Sequence, residues 1–180
     1  IFLGSDREVD WFLHGMGHFF PEAERRFVSF LPEEERGDLL AHYLRRLVAE
    51  DPAIHQPAAE RWAGYEAACS SLLPLPPIGA EEPQRALSLA RLEAHYFANR
   101  MFLEPGQLLD QLDRIRHLPS VIVQGRYDVI CPISTAAQLA DAWPDAKFEV
   151  VPDAGHSAME PGIARSLIDA MESIRQTIRS

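Results

Sequence analysis

The chain has 180 residues, 47% of them hydrophobic, which is enough to bury a sizeable core in one or two compact units. Its formal net charge of −10 comes from acidic residues spread along the chain, a balance that disfavours nucleic acid and anionic membrane as partners. Cys69 and Cys131 are too few for a disulfide scaffold, and no apolar run approaches the ~18 residues of a membrane span, so a soluble, cytoplasmic protein is expected.

In chain order, residues from about 6 to 105 read as helices without a convincing strand. His14 and His18 stand four apart, a spacing that on a helix suits a metal, but Gly15 and Gly17 weaken that helix and no third ligand is apparent. No metal and no cofactor are therefore expected. The run Glu33-Glu-Glu-Arg36 reads as the acidic first turn of a helix, where the macrodipole favours carboxylates. Leu39, Leu40, Tyr43, Leu44, Leu47 and Val48 then form an amphipathic stripe that stops before Asp51-Pro52. A second helix is expected over Pro57 to Leu73, a Pro-rich break over Leu72 to Gly79, and a third helix from Pro83 to about Phe102. From Leu118 the pattern changes to strand 120–124, helix 133–142, strand 147–151 and helix 161–178, a βαβα unit with a parallel sheet. The expected organisation is a mostly helical cap over residues 1–105, with 1–5 as the end of a core strand or loop, followed by α/β structure over 106–180.

The chemistry concentrates in the second part. Val121-Ile-Val is a short β-branched run stopped by Gly125, and the turn beyond it carries Asp128. Phe148-Glu-Val-Val151 repeats the pattern and leads to His156 in Ala154-Gly-His-Ser157. In open α/β sheets reactive groups gather beyond the carboxyl ends of the strands, so these two loops are placed to join a carboxylate and an imidazole. An acid followed by a histidine fits the last two members of a hydrolase triad whose chain order is nucleophile, acid, histidine. The sequence contains no Gly-x-Ser-x-Gly, and it opens on Ile1 without a Met or a signal-like segment. The expectation is the carboxyl-terminal part of a longer enzyme whose nucleophile lies upstream, and a chain that is inactive alone.

The segments Gly125-Arg-Tyr-Asp-Val-Ile-Cys-Pro132, Ala142-Trp-Pro144 and Ala154-Gly-His-Ser-Ala-Met-Glu-Pro161 resemble the proline iminopeptidase family of α/β hydrolases. Asp10-Trp-Phe12, Phe20-Pro21, the stretch bearing Trp62 and Glu66, and Leu92-Glu-Ala-His-Tyr-Phe97 extend the resemblance through most of the chain. It implies an α/β-hydrolase fold with a helical cap, removal of an N-terminal proline from peptides, and an upstream nucleophile elbow and oxyanion loop. By that match Asp128 is the triad acid and His156 the general base. Glu66 and Glu93 are the cap glutamates that would hold the substrate's ammonium, and Phe2, Phe97 and Cys131 fall at positions around an apolar slot for the proline ring. The implied partner is a small peptide with a free N-terminal proline; oligomeric state is left open. The sequence departs from the family at Gly4-Ser5-Asp6, at Tyr65 and at Ala94. These departures leave room for another capped hydrolase acting on esters or amides; a second alternative is a noncatalytic binding protein on the same fold, which an upstream sequence without the nucleophilic serine would favour.

Overall fold

A computed structural model of the chain describes residues 1–73 and 83–179. They fall into two compact units. A helical unit contains Gly4–Cys69 and the described part of Pro74–Leu103, and a strand unit gathers Ile1–Leu3, Ser70–Leu73 and the chain from Glu104 on.

The helical unit is built from α1 (Asp6–Asp10), α2 (Pro21–Val28), α3 (Leu39–Leu47), α4 (Pro52–Cys69) and α5 (Pro83–Ala98). The starts of α1 to α4 have local causes. Ser5 and Glu8 form a reciprocal capping box on α1, Pro21 opens α2, and the Asp38 carboxylate accepts from Ala41 N at the start of α3. Helix α4 begins five residues before the sequence expectation, because Asp51 accepts from Ala53 N at 2.8 Å and Pro52 occupies the first turn. Pro57, read as the start, lies inside the helix; the loss of one N–H bond is outweighed by the burial of Ala58, Ala59 and Trp62 just beyond it. The same helix ends at Cys69 rather than Leu73. The Glu33–Glu35 run forms a single 3₁₀ turn, not the first turn of α3, and Glu35 instead pairs with Arg45 and Arg46 of that helix. Helix α5 ends at Ala98, four residues early, where Arg100, Met101 and Phe102 adopt left-handed backbone with φ of 49, 56 and 55°. The Pro-rich stretch from Pro74 to Gly79 lies outside the described residues.

Packing in this unit centres on aromatic rings. Phe27 stacks on Tyr43 at 4.4 Å and on Tyr65 at 4.6 Å, while Trp62 meets Tyr43 and Phe12 at 5.5 and 5.4 Å. The Tyr43 hydroxyl donates to the Phe27 carbonyl at 2.7 Å, so its burial leaves this polar tip satisfied. Small residues let α4 and α5 approach: Ala58, Ala59, Ala90 and Ala94 are all fully buried.

The strand unit contains α6 (Gln107–Asp110), β1 (Val121–Gly125), α7 (Ile133–Ala142), β2 (Lys147–Val151) and α8 (Pro161–Arg179), in the order the sequence predicts from residue 118 on. The two strands pair in parallel with Val121 opposite Lys147 and Gly125 opposite Val151, and α7 supplies the crossover that parallel pairing requires. Val151, Ala154 and Ile163 form a core with Val123 packed against it. None of the described helices is long and apolar enough to cross a membrane.

Candidate active site

Both strands end at the same level, and the loops beyond them are joined by main chain. Arg126 N donates to Val151 O and Tyr127 N to Ala154 O, each at 2.9 Å. This approach requires a residue without a side chain at the end of β1, since a Cβ on Gly125 would collide with the Gly155 carbonyl. The contact fixes where Asp128 and His156 stand. His156 Nδ1 lies 3.0 and 3.2 Å from the two carboxylate oxygens of Asp128.

Asp128 is buried and its carboxylate is well supplied with donors. Oδ1 accepts from Cys131 N at 2.8 Å, and Oδ2 accepts from the Gln124 side-chain amide at 2.7 Å. Burial opposes a charge on His156, yet hydrogen bonds and charge from Asp128, with Cys131 adding to both, hold its pKa well above the ordinary histidine value, at about 10. The bond to Asp128 also fixes the ring: with the Nδ1 proton directed at the carboxylate, Nε2 is the basic nitrogen.

The loop that carries the histidine is pinned separately. His156 N and Ser157 N both donate to the Ser70 carbonyl, at 2.9 and 2.8 Å. The buried Glu160 side chain accepts from Gly155 N at 2.8 Å and from Leu72 N at 3.2 Å. One carboxylate thus ties the residue before His156 to a segment more than eighty residues earlier in the chain.

Of the other sequence candidates, Cys131 joins the Asp128 cluster, where it is buried and its carbonyl accepts from Gln124 at 3.0 Å. Phe2 belongs to the strand unit and is partly exposed. Glu93, Glu66 and Phe97 belong to the helical unit. There Trp62 Nε1 donates to Glu93 Oε2 at 2.7 Å, and Glu66 stands one helical turn beyond Trp62 on α4. Phe97 packs edge-on against Phe12 at 5.2 Å. Tyr65 and Ala94, the two departures beside these glutamates, are buried core residues. His18 Nδ1 lies 3.1 Å from the Gly15 carbonyl, and no group of three or more metal-ligating side chains occurs among the described residues.

Three residues of this arrangement were missed in the sequence: Gln124, Glu160 and Trp62 as a partner of Glu93. Gln124 had a signal, a lone amide inside an apolar strand. Glu160 had another, a carboxylate directly before a proline at a helix start. Nothing local marks the pairing of Trp62 with Glu93, 31 positions apart.

A family profile described as alpha/beta hydrolase fold matches residues 15–162. The chain belongs to the α/β-hydrolase-fold family. Within that family it is 44% identical over 176 residues to a protein of Leptolyngbya boryana named probable proline iminopeptidase, covering 96% of this chain and 55% of that one. It is 43% identical over 180 residues to the proline iminopeptidase of Arabidopsis thaliana, covering 97% and 47%, and 38% identical over 178 residues to that of Neisseria gonorrhoeae, covering 97% and 56%. The chain spans about half the length of the curated relatives it matches.

Proposed function

We propose that the chain supplies the acid and the base of a serine aminopeptidase that releases N-terminal proline from peptides in the cytoplasm. The observation that carries this reading is the Asp128–His156 pair at the ends of two parallel strands, with the carboxylate buried and the imidazole presenting Nε2 as its base. A serine hydroxyl is a weak nucleophile until an imidazole takes its proton, and the imidazole needs a carboxylate to fix its tautomer and stabilise the resulting cation. In this reading the serine and the oxyanion donors come from the half of the relatives' length that this chain does not span. His156 Nε2 takes the serine proton as Oγ adds to the prolyl carbonyl, then returns it to the departing amine. In the second half-reaction it activates water to hydrolyse the acyl-enzyme.

The helical unit acts as the cap in this reading and selects the substrate. A free N-terminal proline presents a secondary ammonium, and in a dry pocket that charge needs carboxylate partners. Glu93, oriented by the Trp62 indole, and Glu66, one turn beyond Trp62, are assigned to it. Phe2, Phe97 and Cys131 are assigned to the apolar slot for the ring, a role supported by the resemblance and by the apolar character such slots require. Apart from the peptide, no cofactor, nucleic acid or membrane partner enters.

The test compares two substrates in a protein that carries both this chain and the nucleophile. Glu93→Ala and Glu66→Ala should each lower kcat/KM for proline p-nitroanilide at least tenfold, since removing one partner of a desolvated charge pair costs about 2–5 kcal/mol. An activated ester without an amine should be hydrolysed almost equally by wild type and variants, and acetylating the proline nitrogen should abolish cleavage. An unchanged ratio of the two substrates would assign the chain to a hydrolase of esters or amides. The 180 residues alone should not hydrolyse proline p-nitroanilide above a His156→Ala control.

A further inference from the structure

We infer that Gln124 is a positioning residue for the acid of the pair, holding the Asp128 carboxylate in the orientation that His156 requires. This rests on the assignment of Asp128 and His156 proposed above. Gln124 is 2% exposed and sits in β1 four residues before the aspartate. A buried amide in a strand is costly unless its polar atoms are met, and these are. Its Nε2 donates to Asp128 Oδ2 at 2.7 Å and to the Cys131 carbonyl at 3.0 Å, and its Oε1 accepts from the Ile1 main-chain nitrogen at 2.7 Å. The amide orientation follows from these partners. A carboxylate and a carbonyl can only accept, so the NH₂ must face them and the oxygen must face the Ile1 nitrogen.

The geometry distinguishes this role from packing. Asp128 Oδ2 is the oxygen nearer His156 Nδ1, at 3.0 Å, and it is the oxygen that Gln124 holds. Cys131 N holds the other oxygen at 2.8 Å, so the two donors fix the carboxylate plane between them. Without the amide, one oxygen keeps its main-chain donor and the carboxylate is free to rotate about that contact. The imidazole then loses a fixed acceptor for its Nδ1 proton, and the fraction of histidine in the tautomer with a basic Nε2 falls. The second contact of Nε2, to the Cys131 carbonyl, also clamps the turn that presents Cys131 N to Oδ1. Among the described residues, the titratable side chains facing this amide are Asp128 directly and, around the carboxylate, His156 and Cys131.

Two substitutions test this in the full-length enzyme. Gln124→Leu keeps most of the volume and removes the donor. It should lower kcat about tenfold or more with KM within twofold, because a hydrogen bond to a charged group is lost while substrate contacts stay. It should also shift and broaden the downfield proton resonance of His156 Nδ1. Gln124→Glu is isosteric and places a second carboxylate against the first. Two buried carboxyls this close share one proton, which draws charge from the oxygen that faces His156, so the acid limb of kcat/KM against pH should move to lower pH. If Gln124→Leu does not fold, the Glu variant decides alone. Wild-type kcat and an unmoved histidine resonance in the Leu variant, or an unmoved acid limb in the Glu variant, would overturn the proposal. Asp128→Asn, measured alongside, separates the two ideas. Full activity in Asp128→Asn removes the catalytic assignment itself, whereas an inactive Asp128→Asn with normal Gln124 variants removes only the role of the glutamine.

Discussion

The two units place polar groups in opposite ways. In the strand unit the polar side chains that matter are buried and held by main chain: Asp128 by Cys131 N, Glu160 by Gly155 N and Leu72 N, and the His156 loop by the Ser70 carbonyl. In the helical unit the interior is aromatic, and its candidate carboxylates, Glu66 and Glu93, sit half-buried on helices with Trp62 as the link from core to Glu93. A loop site needs such bolts because its backbone has no ladder of its own, whereas a helix presents a side chain from a backbone already satisfied. The strand unit should therefore show its largest mutational effects in turnover, and the helical unit in stability and substrate affinity.

The sharpest break of that comparison is removal of the pair itself. On the function proposed above, Asp128→Asn and His156→Ala in a protein that carries both this chain and the nucleophile should each lower kcat by roughly 10³-fold or more with the fold intact, because the members of a triad act as a unit. Near wild-type turnover with an unchanged circular dichroism spectrum would move the chemistry elsewhere. Glu160→Gln comes next. It puts an NH₂ against one of two main-chain N–H groups, so about a tenfold loss in kcat is expected, with faster amide exchange at Gly155 and Leu72. Slow exchange at both amides would show that the bolt is dispensable.

The helical unit offers the contrasting pair. Trp62→Phe keeps an aromatic ring in the core but removes the donor to Glu93, so KM for a free N-terminal proline substrate should rise by roughly fivefold while ester hydrolysis holds. Tyr43→Phe removes a buried hydroxyl that donates to the Phe27 carbonyl. It should cost about 1–2 kcal/mol in urea denaturation and leave both substrates' kinetics alone. Equal kinetic effects from these two variants would erase the distinction between core and site in this unit.

How far the sequence could be read follows the same division. Strands β1 and β2 and helices α7 and α8 were legible to within a residue or so at either end, because β-branched runs, Gly125 and Pro161 punctuate them locally. Asp128 and His156 were legible for the same reason, each lying just past a strand. The bounds of α4 were not. Asp51-Pro52 serves both as a stop for α3 and as a start for α4, whereas the expected helix begins at Pro57. Glu160 stands directly before Pro161, a local mark, but its partners are main-chain atoms, one of them 88 positions away, and that mark does not report them. Trp62 is a core residue, and that its indole nitrogen also serves Glu93 depends on the packing of α4 on α5 through buried alanines.

The remaining expected effect is the dependence of the pair on pH, and it runs in opposite directions for stability and for rate. The His156 pKa is held above its unfolded value by Asp128, so the protonated pair stabilises the folded state. That contribution is fully present below the unfolded histidine value of about 6.5 and is lost as pH rises through the folded value of about 10. Catalysis asks for the other form, since a general base must be unprotonated to accept a proton. The Tm gap between wild type and Asp128→Asn should therefore narrow as pH is raised from 6 toward 10, while wild-type kcat/KM climbs over the same interval. In Asp128→Asn the residual acid limb should fall to lower pH, toward the ordinary histidine value, because the partner that stabilised the cation is gone. A Tm gap that stays constant with pH would mean that Asp128 and His156 do not share a charge in the free protein. The strand unit's bolts would then orient a neutral ring, and the rate loss in Asp128→Asn would come from the tautomer alone.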